Sequence, residues 1–263
     1  MRLVNKSILV FFDFALRPVK AFYWSILNVF YKLGIYSVYE IPVFINNFNR
    51  ITTLKLLIDF LEKCGFKKII ILDNGSTYPP LLNYYKECSH KVLRLSNHGH
   101  LAFWKSGLYA VHKWNYFVNT DSDVVPVNEC PTTFIEHFKS ILDAYYSLDK
   151  IGFGIKIDDL PDSFDLRDQI INYENQYWKK KIKPNLYDAP IDTTFALYKP
   201  LTGLKNDHAY LQKAFRTGPP YVVRHLPWYI NSRSLTEEER FYVASCNTSS
   251  SLGQHQRGVG TVY

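Results

Sequence analysis

Residues 116–126 read YFVNTDSDVVP. The apolar lead-in through Tyr116, Phe117 and Val118 has the run of a buried strand, and two aspartates one residue apart follow it before Pro126 closes the stretch. A carboxylate delivered to the end of a buried strand is costly unless a cation or a set of donors meets it. In an extended segment alternate side chains share a side, so Asp121 and Asp123 are expected to approach one hard cation together while Ser122 faces away. Mg2+ or Mn2+ takes oxygen ligands octahedrally, and two carboxylates leave positions free for phosphate oxygens and water.

Asp-x-Asp pairs also occur in surface loops, so the weight of this one comes from what precedes it. Residues 35–45, IYSVYEIPVFI, read as a strand, and the helix after it places Leu54, Leu57, Ile58 and Leu61 on one face before Gly65 stops it. KKIIILD is an apolar strand ending at Asp73. A short helical piece over 79–87, a strand over 91–96 and a helix over about 100–113 come next. Strands alternating with helices imply a parallel sheet, whose ligands collect at the carboxyl ends of the strands. Each strand ends in a polar cluster: NNFNR, DNGS, NHGH and then DSD.

Beyond residue 126 the alternation weakens. Residues 131–148 read as a helix, 151–157 as a strand and DDLPDSFD as an acidic turn-rich loop. DLRDQIINYENQYWKKKI reads as a helix whose KKKIK run is a solvated end. Residues 193–199 and 221–229 read as strands, and the Ser/Gly-rich stretch after 246 as a flexible tail.

The 263 residues, 47% of them hydrophobic, suffice for a large core and exclude a disordered chain. A formal charge of +7 favours anionic partners, among which nucleotide phosphates, nucleic acid and an acidic membrane surface are the classes to weigh. Cys64, Cys88, Cys130 and Cys246 form no CxxC pair, so neither a zinc site nor a disulfide framework is indicated, and a reducing compartment is the simpler expectation. The first 34 residues are apolar, aromatic and basic. Their longest uncharged run, Ala21 to Tyr31, is too short to span a bilayer, so residues 7–33 read as one or two amphipathic helices broken near Pro18 that pack on the domain or lie in a membrane interface.

IPVFINNFNR, IIILDNGST, LSNHGHLAFWKSG and FVNTDSD, in that order over residues 38–127, resemble the nucleotide-sugar-binding half of GT-A-fold glycosyltransferases, family 2 in particular. The resemblance implies a Rossmann-like, mixed and mostly parallel sheet flanked by helices. It divides the chain into an N-terminal helical segment over 1–34, a catalytic domain over 35–245 whose nucleotide-binding half ends near 127, and a tail over 246–263. It implies that Asn47, Arg50 and Asp73 hold the nucleoside, that Asn97 and Gly99 form the turn that lets backbone approach the donor, and that Asp121 and Asp123 bridge the ribose and a Mn2+ or Mg2+ ion on the diphosphate. His225 is carried over as a further metal ligand. The implied partners are a UDP- or GDP-sugar and a glycan or lipid-linked acceptor of a bacterial surface polysaccharide, with nucleic acid excluded. The implied location is the cytoplasm or the inner face of the cell membrane.

The chain departs from the family after the Asn-x-Gly turn, where Ala102 is followed by Phe103 and Trp104 instead of Arg-Asn, and it lacks a clear Glu-Asp base pair. Asp192 is the leading candidate for a carboxylate that takes the acceptor proton, and Glu174 the second; Asp158 and Asp159 offer further carboxylates. Two rivals stand beside this reading. DSDVV also resembles the nucleophile motif of haloacid-dehalogenase-type phosphatases, although that motif usually opens its domain. The other rival is a GT-A-like domain that binds glycan or a partner without turnover.

Overall fold

The structure, a computed structural model, describes residues 17–192, 194–205, 208–246 and 253. Its first element is the helix Arg17–Lys32 (α1), with Pro18 in the first turn, where a missing N–H leaves no bond unmade. The expected break near Pro18 is thus where this helix begins; its upstream partner, residues 7–16, lies outside the described residues, as does the expected tail apart from Cys246 and Gly253.

The alternating half follows as Val43–Asn47 (β1), Thr52–Lys63 (α2), Ile69–Asp73 (β2), Pro79–Glu87 (α3), Lys91–Arg94 (β3), Ala102–Lys105 (α4), Leu108–His112 (α5) and Phe117–Asp121 (β4). The second half comprises Val124–Pro126 (β5), Phe134–Ala144 (α6), Lys150–Ile155 (β6), Arg167–Glu174 (α7), Lys181–Lys183 (β7), Leu186–Asp188 (β8), Ala196–Tyr198 (β9), Ala214–His225 (β10) and Glu237–Ser245 (α8). All strands join one open mixed sheet in the order β3-β2-β1-β4-β9-β6-β10-β8-β7, with β5 added to β10. β3, β2, β1 and β4 are mutually parallel. β9 lies antiparallel between β4 and β6, and β10 is parallel to β6, so only β5, β8 and β9 run against the common direction.

Strand alternation sorts the core into two layers. Val43, Ile45, Ile71 and Val118 face Leu54, Leu57 and Leu61 of α2 and Phe134 and Phe138 of α6. Phe44, Leu72 and Phe117 face the other way, onto Phe103 and Tyr198. Each such side chain, buried on both faces of a parallel sheet, contributes roughly 1.5–3 kcal/mol of transfer free energy.

Several expected elements are corrected. The first strand starts at Val43, because residues 38–40 form a 3-10 turn capped by Ser37. The helix expected over 100–113 is two short helices, divided where Gly107 takes φ +84°. The KKKIK run is no helix end: Lys181–Lys183 is an exposed edge strand, hairpinned to β8 near Asn185 at φ +58°. Helix α8 was not anticipated, although its Thr236/Glu239 capping box is written in the sequence.

Candidate functional site

Because β1, β2, β3, β4 and β10 share one direction, their last residues Asn47, Asp73, Arg94, Asp121 and His225 all fall on one edge of the sheet. This edge is where ligands of open α/β sheets bind.

Asp121 closes β4, but Ser122 and Asp123 form a tight turn into β5, so the extended geometry expected for the Asp-x-Asp pair does not hold. The turn separates the partners of the two carboxylates. Asp121 accepts from Asn46 Nδ2 at 3.3 Å. Ser122, far from facing away idly, is buried and donates to Asn47 Oδ1 at 2.6 Å. Asp123 lies 3.5 Å from Arg50 Nε and 3.7 Å from His225 Nε2. Register explains the second approach: β5 pairs with β10 so that Val124 opposes His225, and the Leu226 N–H donates to the Asp123 carbonyl at 2.8 Å.

Around this point several buried polar atoms have no hydrogen-bond partner: Asn46 Oδ1, Arg50 Nε, Asp123 Oδ1, His225 Nδ1 and Trp228 Nε1. Buried groups of this kind are normally satisfied, so their gathering at one strand edge marks a place built to meet something else. Burial holds the His225 pKa below its ordinary value, against the pull of Asp123, which favours the neutral ring that a metal ion requires. Among the described residues no three His, Cys, Asp or Glu side chains are grouped closely enough to hold an ion. Asp121, Asp123 and His225 are therefore not a finished three-ligand cluster. Asp123 and His225 fit a divalent ion as a carboxylate-imidazole pair whose remaining ligands come from elsewhere.

On the α2 side of the sheet, Asp73 is fully buried, 2.8 Å from Arg94 Nε, and accepts from the Tyr85 hydroxyl at 3.2 Å. Asn47 donates to the same hydroxyl at 2.8 Å. Arg50 lies 3.8 Å over the Tyr242 ring of α8. Asn97 and Gly99 do form a turn: the Gly99 N–H donates to Asn97 Oδ1 at 2.9 Å, with Gly99 at φ +63°. Asn74 fixes that turn from below, donating to the Gly99 carbonyl at 2.9 Å and accepting from the His98 N–H at 2.7 Å.

No family model and no curated protein matches the chain.

The two candidate bases meet different fates. Asp192 is exposed and precedes β9, whose Ala196 opposes Asn119, so it sits toward the same edge as Asp121. Asp192 and Asp121 both act on the buried Tyr198 phenol, whose pKa burial first and these carboxylates second push far up. The Asp192 carbonyl accepts from the buried Lys150 ammonium at 3.1 Å, which pins this loop. Glu174, in contrast, is taken up by an ion pair in the interior. It is buried and bonded to Arg216 at 2.7 Å, with Tyr177 covering the guanidinium. Asp159 is likewise engaged, by Arg224 at 2.6 Å and by the Tyr229 hydroxyl.

Sequence reading missed Asn46, Asn74, Tyr85 and Arg94. Asn46 and Asn74 had a visible signal, each being a second polar residue at a strand end; Tyr85 and Arg94 had none, since their role depends on packing between α3 and β3.

Proposed function

We propose that the chain is a metal-dependent glycosyltransferase of GT-A type, moving a sugar from a nucleoside-diphosphate donor to an acceptor hydroxyl. The observation that carries this reading is the approach of Arg50 and His225 to Asp123 at the strand edge, with unpartnered buried polar atoms around them. Asp123 and His225 would hold Mn2+ or Mg2+, which supplies charge neutralisation of the departing diphosphate. Arg50 adds a fixed positive charge beside it. Asp121, held by Asn46, would accept from a ribose hydroxyl, and the Asn97–Gly99 turn, held by Asn74, would let donor approach the backbone. As the acceptor oxygen bonds to the anomeric carbon, the bond from that carbon to the diphosphate oxygen breaks; in an inverting transfer the acceptor proton passes to Asp192. The engagement of Asp73 with Arg94 and Tyr85 makes it a rigid wall for the nucleoside.

The test is thermal stabilisation and donor hydrolysis across a panel of UDP- and GDP-sugars with and without Mn2+, in the wild type and in Asp123→Ala. A Mn2+-dependent response confined to the wild type is expected. No response to any donor, or an equal response in the variant, removes the proposal.

A further inference from the structure

The end of the sheet opposite this site carries a second surface. Helix α1 is fixed to the domain along one face: Trp24 Nε1 donates to the Pro200 carbonyl at 3.0 Å, Asn28 Oδ1 accepts from Lys139 Nζ at 2.6 Å, and Tyr31 donates to Asn115 Oδ1 at 3.0 Å. Its other face is apolar and in solvent. Val19, Phe22, Ile26 and Val29 of α1, and Leu33 just past its end, are 62%, 70%, 41%, 51% and 68% exposed, at the spacing that lines them along one side of a helix. Beside them, at the N-terminal ends of β1, β2 and β3, opens a pocket of about 500 Å3 lined by Lys67, Lys68, Lys91, His90, His112 and Trp114, with Glu40 the acid among its described lining and Glu62 paired to His90 at 2.9 Å. The helix adjoins the pocket wall, since the Tyr23 hydroxyl of α1 donates to the carbonyl of Trp114, itself 54% exposed. Burial first and Lys91 second lower the His112 pKa.

We propose that this end of the molecule docks on an anionic phospholipid bilayer, with the outward stripe of α1 seated at the boundary of headgroups and acyl chains and the lysine pocket receiving lipid phosphates. This does not rest on the transferase reading. Charge chooses the occupant. A second copy packed stripe to stripe about a two-fold axis would cover the apolar residues but bring two like-charged pockets to one interface. The chain's own residues 1–16 bring Arg2 and Lys6 against a single acid, Asp13. An anionic bilayer answers both the apolar stripe and the positive pocket, and Trp114 has the amphipathic ring that favours the interface.

The experiment is flotation of the full-length protein with vesicles of phosphatidylcholine containing about 30 mol% phosphatidylglycerol. Binding is expected with these and at least about tenfold weaker with pure phosphatidylcholine or at high salt. Phe22→Glu/Val29→Glu and, separately, Lys67→Glu/Lys91→Glu should each weaken it about tenfold or more, with melting temperatures unchanged. Brominated phosphatidylglycerol should quench tryptophan emission, and Trp114→Phe should remove most of that quenching. Absence of flotation with anionic vesicles overturns the proposal. So does equal flotation of the Phe22→Glu/Val29→Glu variant. A wild-type dimer that this variant converts to monomer would likewise overturn it, by giving the stripe to a second copy.

Discussion

At the C-terminal ends of the strands, polar side chains are bound to one another across the chain; at the N-terminal ends, among the described residues, an apolar helix face and a basic pocket stand open. Five-residue strands separate the two edges, about 17 Å at the rise of a strand. The difference is one of preorganisation. Asn46, Asn74, Asn47 and Tyr85 hold the upper edge in a fixed arrangement that leaves chosen atoms unpaired, as a site must if it is to bind without rearranging. On the lower edge the described stripe of Val19, Phe22, Ile26 and Val29 is apolar and exposed, and such side chains gain only by being covered. Stability is then expected to reside between the edges and binding at them, a division that substitutions can break.

The largest effect belongs to the interior. Arg216→Met leaves Glu174 buried without its partner and should lower the unfolding free energy by about 3–5 kcal/mol, read by urea denaturation. A loss below about 1 kcal/mol would move that ion pair out of the stabilising core. At the upper edge the sign of the division reverses: Asp123→Ala should reduce donor turnover by about 10²–10³-fold while the melting temperature stays within a few degrees. Next comes Asn74→Ala, which strips the support from the Gly99 turn. It is expected to cost about 1–3 kcal/mol and to raise the KM for donor more than it lowers kcat.

Lys150 gives a pH test of the interior. Burial lowers its pKa to about 7, below the unfolded value, so between pH 7 and 10.5 the unfolded chain binds more protons and stability rises with pH, by at most about 1.4 kcal/mol per unit. Lys150→Met should shrink this rise and leave the part due to Lys199, whose pKa burial lowers to about 8, and to Lys139, whose pKa burial also lowers. Smallest of all, Phe22→Glu on the lower edge should change stability by less than about 0.5 kcal/mol. A larger loss there would mean that the stripe packs against chain, and the contrast between the edges would fail.

Much of the parallel half was legible because its signals are local. The apolar runs at 69–72 and 117–118 and the Leu54/Leu57/Ile58/Leu61 face appear as read, all buried except the half-buried Ile70. Gly107 misled, since a glycine in a helical pattern gives no sign from sequence that it will take φ +84° and divide the helix. KKKIK was assigned to a helix end by its charge, whereas edge strands also carry lysines, to discourage further pairing. The approach of His225 to Asp123 was carried only by resemblance. Its physical cause, the β5–β10 pairing, joins segments about a hundred residues apart, which no window along the chain can see. Glu174 failed for the same reason: its partner Arg216 is 42 residues away.

Helix α8 lies across the first loop of the sheet. Glu238 accepts from the Ile51 N–H at 2.8 Å and the Thr52 N–H at 3.1 Å, Ser245 accepts from Asn49 Nδ2 at 2.8 Å across 196 positions, and Tyr242 backs Arg50. A nascent chain emerging from the ribosome can therefore pair β1 with β2 and β4 long before its loop at residues 48–52 has any cover. Until residues 237–245 have left the exit tunnel, the amides opening α2 lack this carboxylate and Arg50 lacks its ring, so this strand edge becomes complete only after a segment nearly two hundred residues downstream has emerged.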